Sequence, residues 1–209
     1  MSVRDVICRR GIKSVVHFTT TDGFLGMVSL NPPTVLSRLA LMKQGYTRFL
    51  PCENADFRPD TEWLDYINLS ITNINRYFYR HSIRMNKNSK WIILEFSPEI
   101  LTHDGVFFVT TNNIYSAATR GCGEAGLEAL FVPQFNNGKC NLNRSLMNLP
   151  ENTPTCNQAE VLYPTALSFE YLKRIYVQDE HSGHLVSAQA ETCSGRPFDV
   201  VISSERFDV

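Results

Sequence analysis

The sequence predicts an α+β domain of several short strands interleaved with short helices. Three observations carry this reading. Apolar runs of strand length, rich in β-branched and aromatic residues, recur along the chain, most clearly at 91–96 (WIILEF) and 106–109 (VFFV). Between them lie segments of helical period bounded by cap and stop residues. No internal repeat or low-complexity tract interrupts the pattern, and 209 residues suffice for one domain with its own core.

Taken in order, residues 13–18 read as a buried strand, and Thr19, Thr20 or Thr21 ahead of Asp22 offers cap chemistry for a helix through Phe24, Leu25, Met27 and Val28. Asn31-Pro32-Pro33 breaks that helix. A second helix is expected over 34–44, stopped by Gly45. Residues 46–61 mix Pro51, Asn54, Asp56 and Pro59 with aromatic and basic side chains and sustain no period, which marks a functional loop. A strand is expected in 63–71, a helix in 73–84, and a short helix over 127–131. Residues 134–154 form a long Asn-rich loop leading into a strand at 159–163, with further strands at 175–178 and 198–202. From His181 onward the chain reads as a polar extension with one late strand.

A formal net charge of −1 does not announce a nucleic-acid binder, although binding requires only a local basic groove. The six cysteines lie far apart, with no C-x-x-C pair and no adjacent histidine, so no metal site is expected. Neither a signal peptide nor a membrane-spanning stretch is legible, and the expected location is cytoplasmic, with reduced thiols.

The most informative stretch is Gln158-Ala159-Glu160-Val161-Leu162-Tyr163. In a strand, Gln158 and Glu160 would share a face, putting an amide and a carboxylate together at the mouth of an apolar run. A buried acid there calls for a compensating ligand, whereas many strands simply begin with a solvated Glu; the spacing leaves both open. Gly121-Cys122-Gly123-Glu124-Ala125-Gly126 matches the G-x-G-x-x-G dinucleotide pattern literally. The polar stretch before it and the Asn-rich loop after it argue instead for a glycine-rich turn entering a short helix.

His17-Phe18-Thr19 followed by a helix, Leu64-Asp65-Tyr66, the strand leading to Ser97-Pro98-Glu99, and Gln-Ala-Glu-Val-Leu-Tyr-Pro from position 158 occur in one order and spacing. Together they resemble the DarT family of DNA ADP-ribosyltransferase toxins over most of the chain. The resemblance implies an ADP-ribosyltransferase-like split, twisted, mixed or antiparallel sheet with flanking helices, in one catalytic domain spanning 1–209. It implies transfer of ADP-ribose from NAD, as co-substrate and without a metal, to a base in single-stranded DNA. It also implies a partner antitoxin that removes the mark, an ADP-ribosyl hydrolase of NADAR or macrodomain type.

By this resemblance Glu160 is the catalytic carboxylate that offsets charge developing on the ribose. His17 and Thr19 hold NAD, with Phe24, Leu25 and Tyr66 lining the nicotinamide side. Arg58, with Arg48 as the alternative, assists at the acceptor base, by hydrogen bonding rather than as a base, given an arginine's high pKa. DarT sequences often carry Asn where this chain has Gly23, so no side-chain contact carries over there. Base selection falls to Gln158, Asn157 and the loop before them. Guanine is the favoured base, thymine the alternative, and a protein- or RNA-directed transferase a further reading. Lys43, Arg48, Arg58, Arg76, Arg80, Arg84 and Arg144 are candidate strand contacts, with Tyr46, Phe49 and Phe57 as stacking residues.

Overall fold

The computed structural model describes residues 2–45 and 61–208. Its first helix, α1 (Val3–Arg10), opens on a capping box, with the Ser2 hydroxyl and the Asp5 carboxylate each accepting from the other's backbone N–H. Strand β1 (Val15–Thr20) hands directly to α2 (Thr21–Val28), whose N-cap is Thr20, its hydroxyl accepting from the Gly23 amide at 3.1 Å. The expected second helix divides into β2 (Thr34–Leu36) and α3 (Arg38–Lys43), because Ser37 caps a helix only from that point. Then come β3 (Tyr66–Ile71), α4 (Arg76–Met85) capped by Asn75, β4 (Trp91–Phe96) and β5 (Phe107–Val109).

β6 (Arg120–Cys122) runs into α5 (Gly123–Ala129), four residues ahead of the helix expected at 127. The dinucleotide pattern fails here for a structural reason: β6 is a short exposed edge strand antiparallel to β5, with no buried parallel strand ahead of the glycines. Gly121 and Gly126 serve packing instead. A Cβ on Gly126 would lie 2.4 Å from the carbonyl carbon of Gly121, so α5 approaches β6 closer than any side chain permits.

The Asn-rich loop contains a small hairpin, β7 (Gln134–Asn136) and β8 (Asn141–Asn143), before β9 (Glu160–Pro164), β10 (Ala166–Ser168) and β11 (Leu172–Val177). The C-terminal part is no loose polar extension. It forms a 15-residue helix, α6 (Glu180–Ser194), and β12 (Val200–Ile202), which pairs in parallel with β11. The buried face of α6 is Ser182, Gly183, Val186 and Ala190, small residues that let it lie against α2 and give little apolar signal in the sequence.

Eight strands form one mixed sheet in the order β12-β11-β4-β1-β3-β9-β5-β6. α1, α2, α5 and α6 contribute to the main core on one face, while α4 and Phe207 cover a smaller aromatic core around Tyr79, Trp91 and Tyr176 on the other. β1 follows β4 through six residue pairs but meets β3 through only two, Val15 with Ile71 and Val16 with Ser70. The sheet therefore splits beyond Val16. Gly126→Ala should lower stability by about 1–3 kcal/mol through overpacking against the Gly121 backbone, read by urea denaturation; an unchanged midpoint would show that α5 can move off β6.

Candidate active site at the opening of the split sheet

Where the β1–β3 ladder ends, the chain replaces a main-chain hydrogen bond with a side chain. The Nδ1 of His17 lies 2.9 Å from the Asn68 carbonyl oxygen. A carbonyl only accepts, so Nδ1 carries the proton and Nε2 of the neutral ring is left as an acceptor. Burial pushes the His17 pKa below its ordinary value, against the opposing effect of the Asn68 contact. Thr19, two residues on, packs over Gly23, where a Cβ would stand 2.5 Å from its Oγ1. The absent side chain at position 23 is therefore the room that Thr19 occupies.

On β3, Ile67, Leu69 and Ile71 enter the main core, so the alternate residues Tyr66, Asn68 and Ser70 face the other way. β9 repeats the pattern: Val161 and Tyr163 are core, and Glu160 points to the face Asn68 shares. Glu160 sits across from Val109 and one step diagonally from Asn68, whose side-chain amide donates to its Oε2 at 3.3 Å. A second donor, the backbone N–H of Asn113, reaches the same oxygen at 2.9 Å. Only 3% of Glu160 is exposed, so it is not a solvated strand-start acid.

The segment covering it, residues 110–120, closes on its own base. Thr110 N–H donates to the Thr119 carbonyl, the Thr110 hydroxyl accepts from the Thr119 amide, and Tyr115 N–H donates to the Asn112 carbonyl. Arg120 binds Asn113 twice, through Nε to Oδ1 at 2.6 Å and Nη2 to the carbonyl oxygen at 2.7 Å. The Cys156 thiol donates to Thr111 at 3.3 Å, fastening this segment to the turn that precedes β9. Gln158 lies in that turn rather than in the strand, which begins two residues later, so strand alternation does not align it with Glu160. Its amide is held instead by Tyr115, whose hydroxyl donates to Gln158 Oε1 at 3.2 Å.

Other sequence candidates fall in different places. Phe24 is fully buried, stacked with Phe169 and edge-on to Phe198, so its ring belongs to the core and offers no face to a ligand. Leu25, one position on, is exposed. Tyr66 packs with Trp63 and Phe107 in an aromatic cluster beside β9. Asn157 is exposed at the turn. Arg48 and Arg58, with Tyr46, Phe49 and Phe57, lie outside the described residues. Arg76, Arg80 and Arg84 are exposed on α4, as is Lys43 at the end of α3. Arg144 is committed elsewhere: its guanidinium donates to the carbonyls of Thr153 and Pro150, so it builds the loop and is not a free strand contact.

Asn68, Asn113, Tyr115 and Arg120 were not assigned roles from the sequence. For Asn68 a signal existed, an Asn at the centre of an alternating strand, where that residue is depleted. No cluster of three or more His, Cys, Asp or Glu able to hold a metal is found among the described residues, nor any helix long and apolar enough to cross a membrane.

A sheet split beside a strand that opens on a buried glutamate, with a glutamine two residues ahead of it, is the arrangement expected of an ADP-ribosyltransferase. Residues 32–208 match the family described as DarT, ssDNA thymidine ADP-ribosyltransferase, and the chain belongs to that family. The fold is similar to that of DarT from Thermus sp. 2.9 in complex with carba-NAD+, at 14% identity and a TM-score of 0.64, over 94% of this chain and 98% of the other. The same enzyme in complex with ADP-ribosylated ssDNA gives a TM-score of 0.63 at 13% identity, covering 95% and 97%. Thermosipho africanus DarTG in complex with ADP-ribose matches at 0.61 and 14% identity, over 93% of this chain and 51% of that one. No curated protein sequence matches the chain.

The His17 geometry makes a pH prediction. A histidine whose folded pKa is depressed leaves the unfolded chain binding more protons below the ordinary value of 6.5. Stability should therefore fall as pH drops from 6.5, and His17→Asn, which retains a donor for the Asn68 carbonyl, should flatten that slope. Urea midpoints between pH 7 and 5 test this; equal slopes in both proteins would show that His17 titrates normally.

Proposed function

We propose that the chain transfers the ADP-ribose of NAD to a base of single-stranded DNA, guanine being the favoured acceptor, as the toxin of a toxin–antitoxin pair. The observation that carries this reading is Glu160, a carboxylate almost wholly removed from water and held by an amide N–H and an asparagine NH2 at the opening of a split sheet. Family membership and the relatives described in complex with carba-NAD+ and with ADP-ribosylated ssDNA support the same reading.

Cleavage of the bond between the ribose anomeric carbon and nicotinamide sends the bonding pair out with neutral nicotinamide and leaves positive charge on the sugar. A fixed carboxylate offsets that charge as it forms, in a site too dry for water to do so. A base nitrogen then bonds the anomeric carbon and loses a proton, for which Glu160 is the nearby acceptor. His17 Nε2, an acceptor, suits a ribose hydroxyl, and Thr19 the carboxamide. Gln158, braced by Tyr115, turns its amide toward an unstacked base edge. Arg58 or Arg48 assists at that base, on the family resemblance.

The guanine reading rests on the 63–70 segment, on the long approach to Asn157, and on Gln-x-Glu sites that read a purine elsewhere. Thymine is the second reading, favoured by the family's own description. The partner is an ADP-ribosyl hydrolase, of NADAR or macrodomain type; a DarTG among the similar structures supports such a pairing.

Labelled NAD offered with DNA, RNA and protein pools should label single-stranded DNA alone, and label confined to protein would overturn the proposal. Mass spectrometry of the nucleoside digest then decides between guanosine and thymidine adducts. Glu160→Ala should reduce transfer by about 10³-fold while changing NAD affinity less than about fivefold, because the acid acts on charge present only in the transition state. Parallel loss of affinity and rate would make Glu160 a binding residue instead.

A further inference from the structure

We infer that Arg120, on the edge strand β6, is a positioning residue for the reaction, acting on Glu160 through Asn113 without touching the acid. The inference rests on the proposed role of Glu160. Its chain of contacts has no ambiguity of donor and acceptor, since a guanidinium only donates, a carbonyl only accepts, and a backbone N–H only donates. Arg120 occupies both oxygens of Asn113, the side-chain Oδ1 and the main-chain carbonyl, which fixes the side chain and the peptide plane that follows, across the same Cα from the N–H. The N–H of that same residue reaches Glu160 Oε2 at 2.9 Å, closer than the Asn68 amide at 3.3 Å.

Asn113 is 1% exposed, so a misdirected N–H there would find no water in place of the carboxylate. Arg120 is itself steadied from the other side. Its guanidinium lies 5.3 Å from the centre of the Trp63 ring, and Trp63 packs edge-on against Phe107 of β5. The planar fork, rather than the charge alone, is what the geometry uses, because a lysine ammonium is a point donor that cannot span two oxygens in one plane. The proposed role is to place Glu160, which acts on charge formed in the transition state, so the consequence should fall on turnover.

Nicotinamide release from NAD, with water taking the ADP-ribose in the absence of DNA, provides the readout, which separates this inference from the choice of base. Arg120→Ala should lower kcat by about 10- to 100-fold with KM for NAD changed less than about twofold. Arg120→Lys should not recover the rate, whereas dilute guanidinium added to Arg120→Ala should restore part of it, since the vacated site is exposed. Asn113→Ala keeps the N–H and loses one anchor, so its loss should be smaller. The double variant should be no slower than Arg120→Ala, because both substitutions cut one chain of contacts.

An unchanged kcat in Arg120→Ala, a rise in KM matching the fall in kcat, full recovery by lysine, or additive losses in the double variant would each overturn the inference. A wild type that releases nicotinamide but labels no DNA would refute the DNA assignment and leave this inference standing. A wild type that releases none either with or without single-stranded DNA would refute both.

Discussion

A carboxylate shut away from water survives only where fixed donors replace the solvent it has lost, and the desolvation at stake is several kcal/mol. Among the described residues, the Asn113 main-chain N–H and the Asn68 amide help Glu160 meet that condition, both donating to Oε2. Much of the surrounding architecture exists to keep those donors in place. Strand β3 sets Asn68 one diagonal from the acid; the 110–120 segment, closed through Thr110 and Thr119, brings Asn113 over it. The result is a side chain already oriented by the fold, the preorganisation that the proposed reaction calls for.

The split in the sheet serves the same end from the other side. Had β1 and β3 continued to pair beyond Val16, their ladder would have filled the space with main-chain hydrogen bonds. Instead the Asn68 carbonyl turns to the His17 ring. Asn68 thus speaks to both sides of the opening, through its carbonyl to His17 and through its amide to Glu160. Because both cores pack firmly against the β11-β4-β1 half, on one face through α2 and α6 and on the other through α4, the strands can part without the sheet losing support.

Much of the fold could be read from the chain because its strands announce themselves chemically. WIILEF is buried at every position and coincides with β4. α1 could have been read from Ser2 and Asp5, whose reciprocal capping has a short sequence signature. α6 could not, since a helix that packs through Ser182, Gly183 and Ala190 carries almost no apolar period. At the site, an acid ahead of Val161-Leu162-Tyr163 was visible. What holds it was less so: the donor from Asn113 is a main-chain N–H, which every residue but proline possesses, and no letter in the sequence marks it. Arg144 misled for a related reason. Its charge suggested a nucleic-acid contact, while its actual partners are carbonyl oxygens, equally invisible in a sequence.

That arginine has a further significance. By gripping the carbonyls of Pro150 and Thr153 and lying over the Phe131 ring, alongside Arg10, it ties down the root of the excursion that leaves β7 and returns at Gln158. The far end of that excursion, where Leu146 stands 87% exposed, lies beyond that tie. Changes of length or composition at the tip leave that tie in place, so this part of the surface can vary without recasting the fold beneath it.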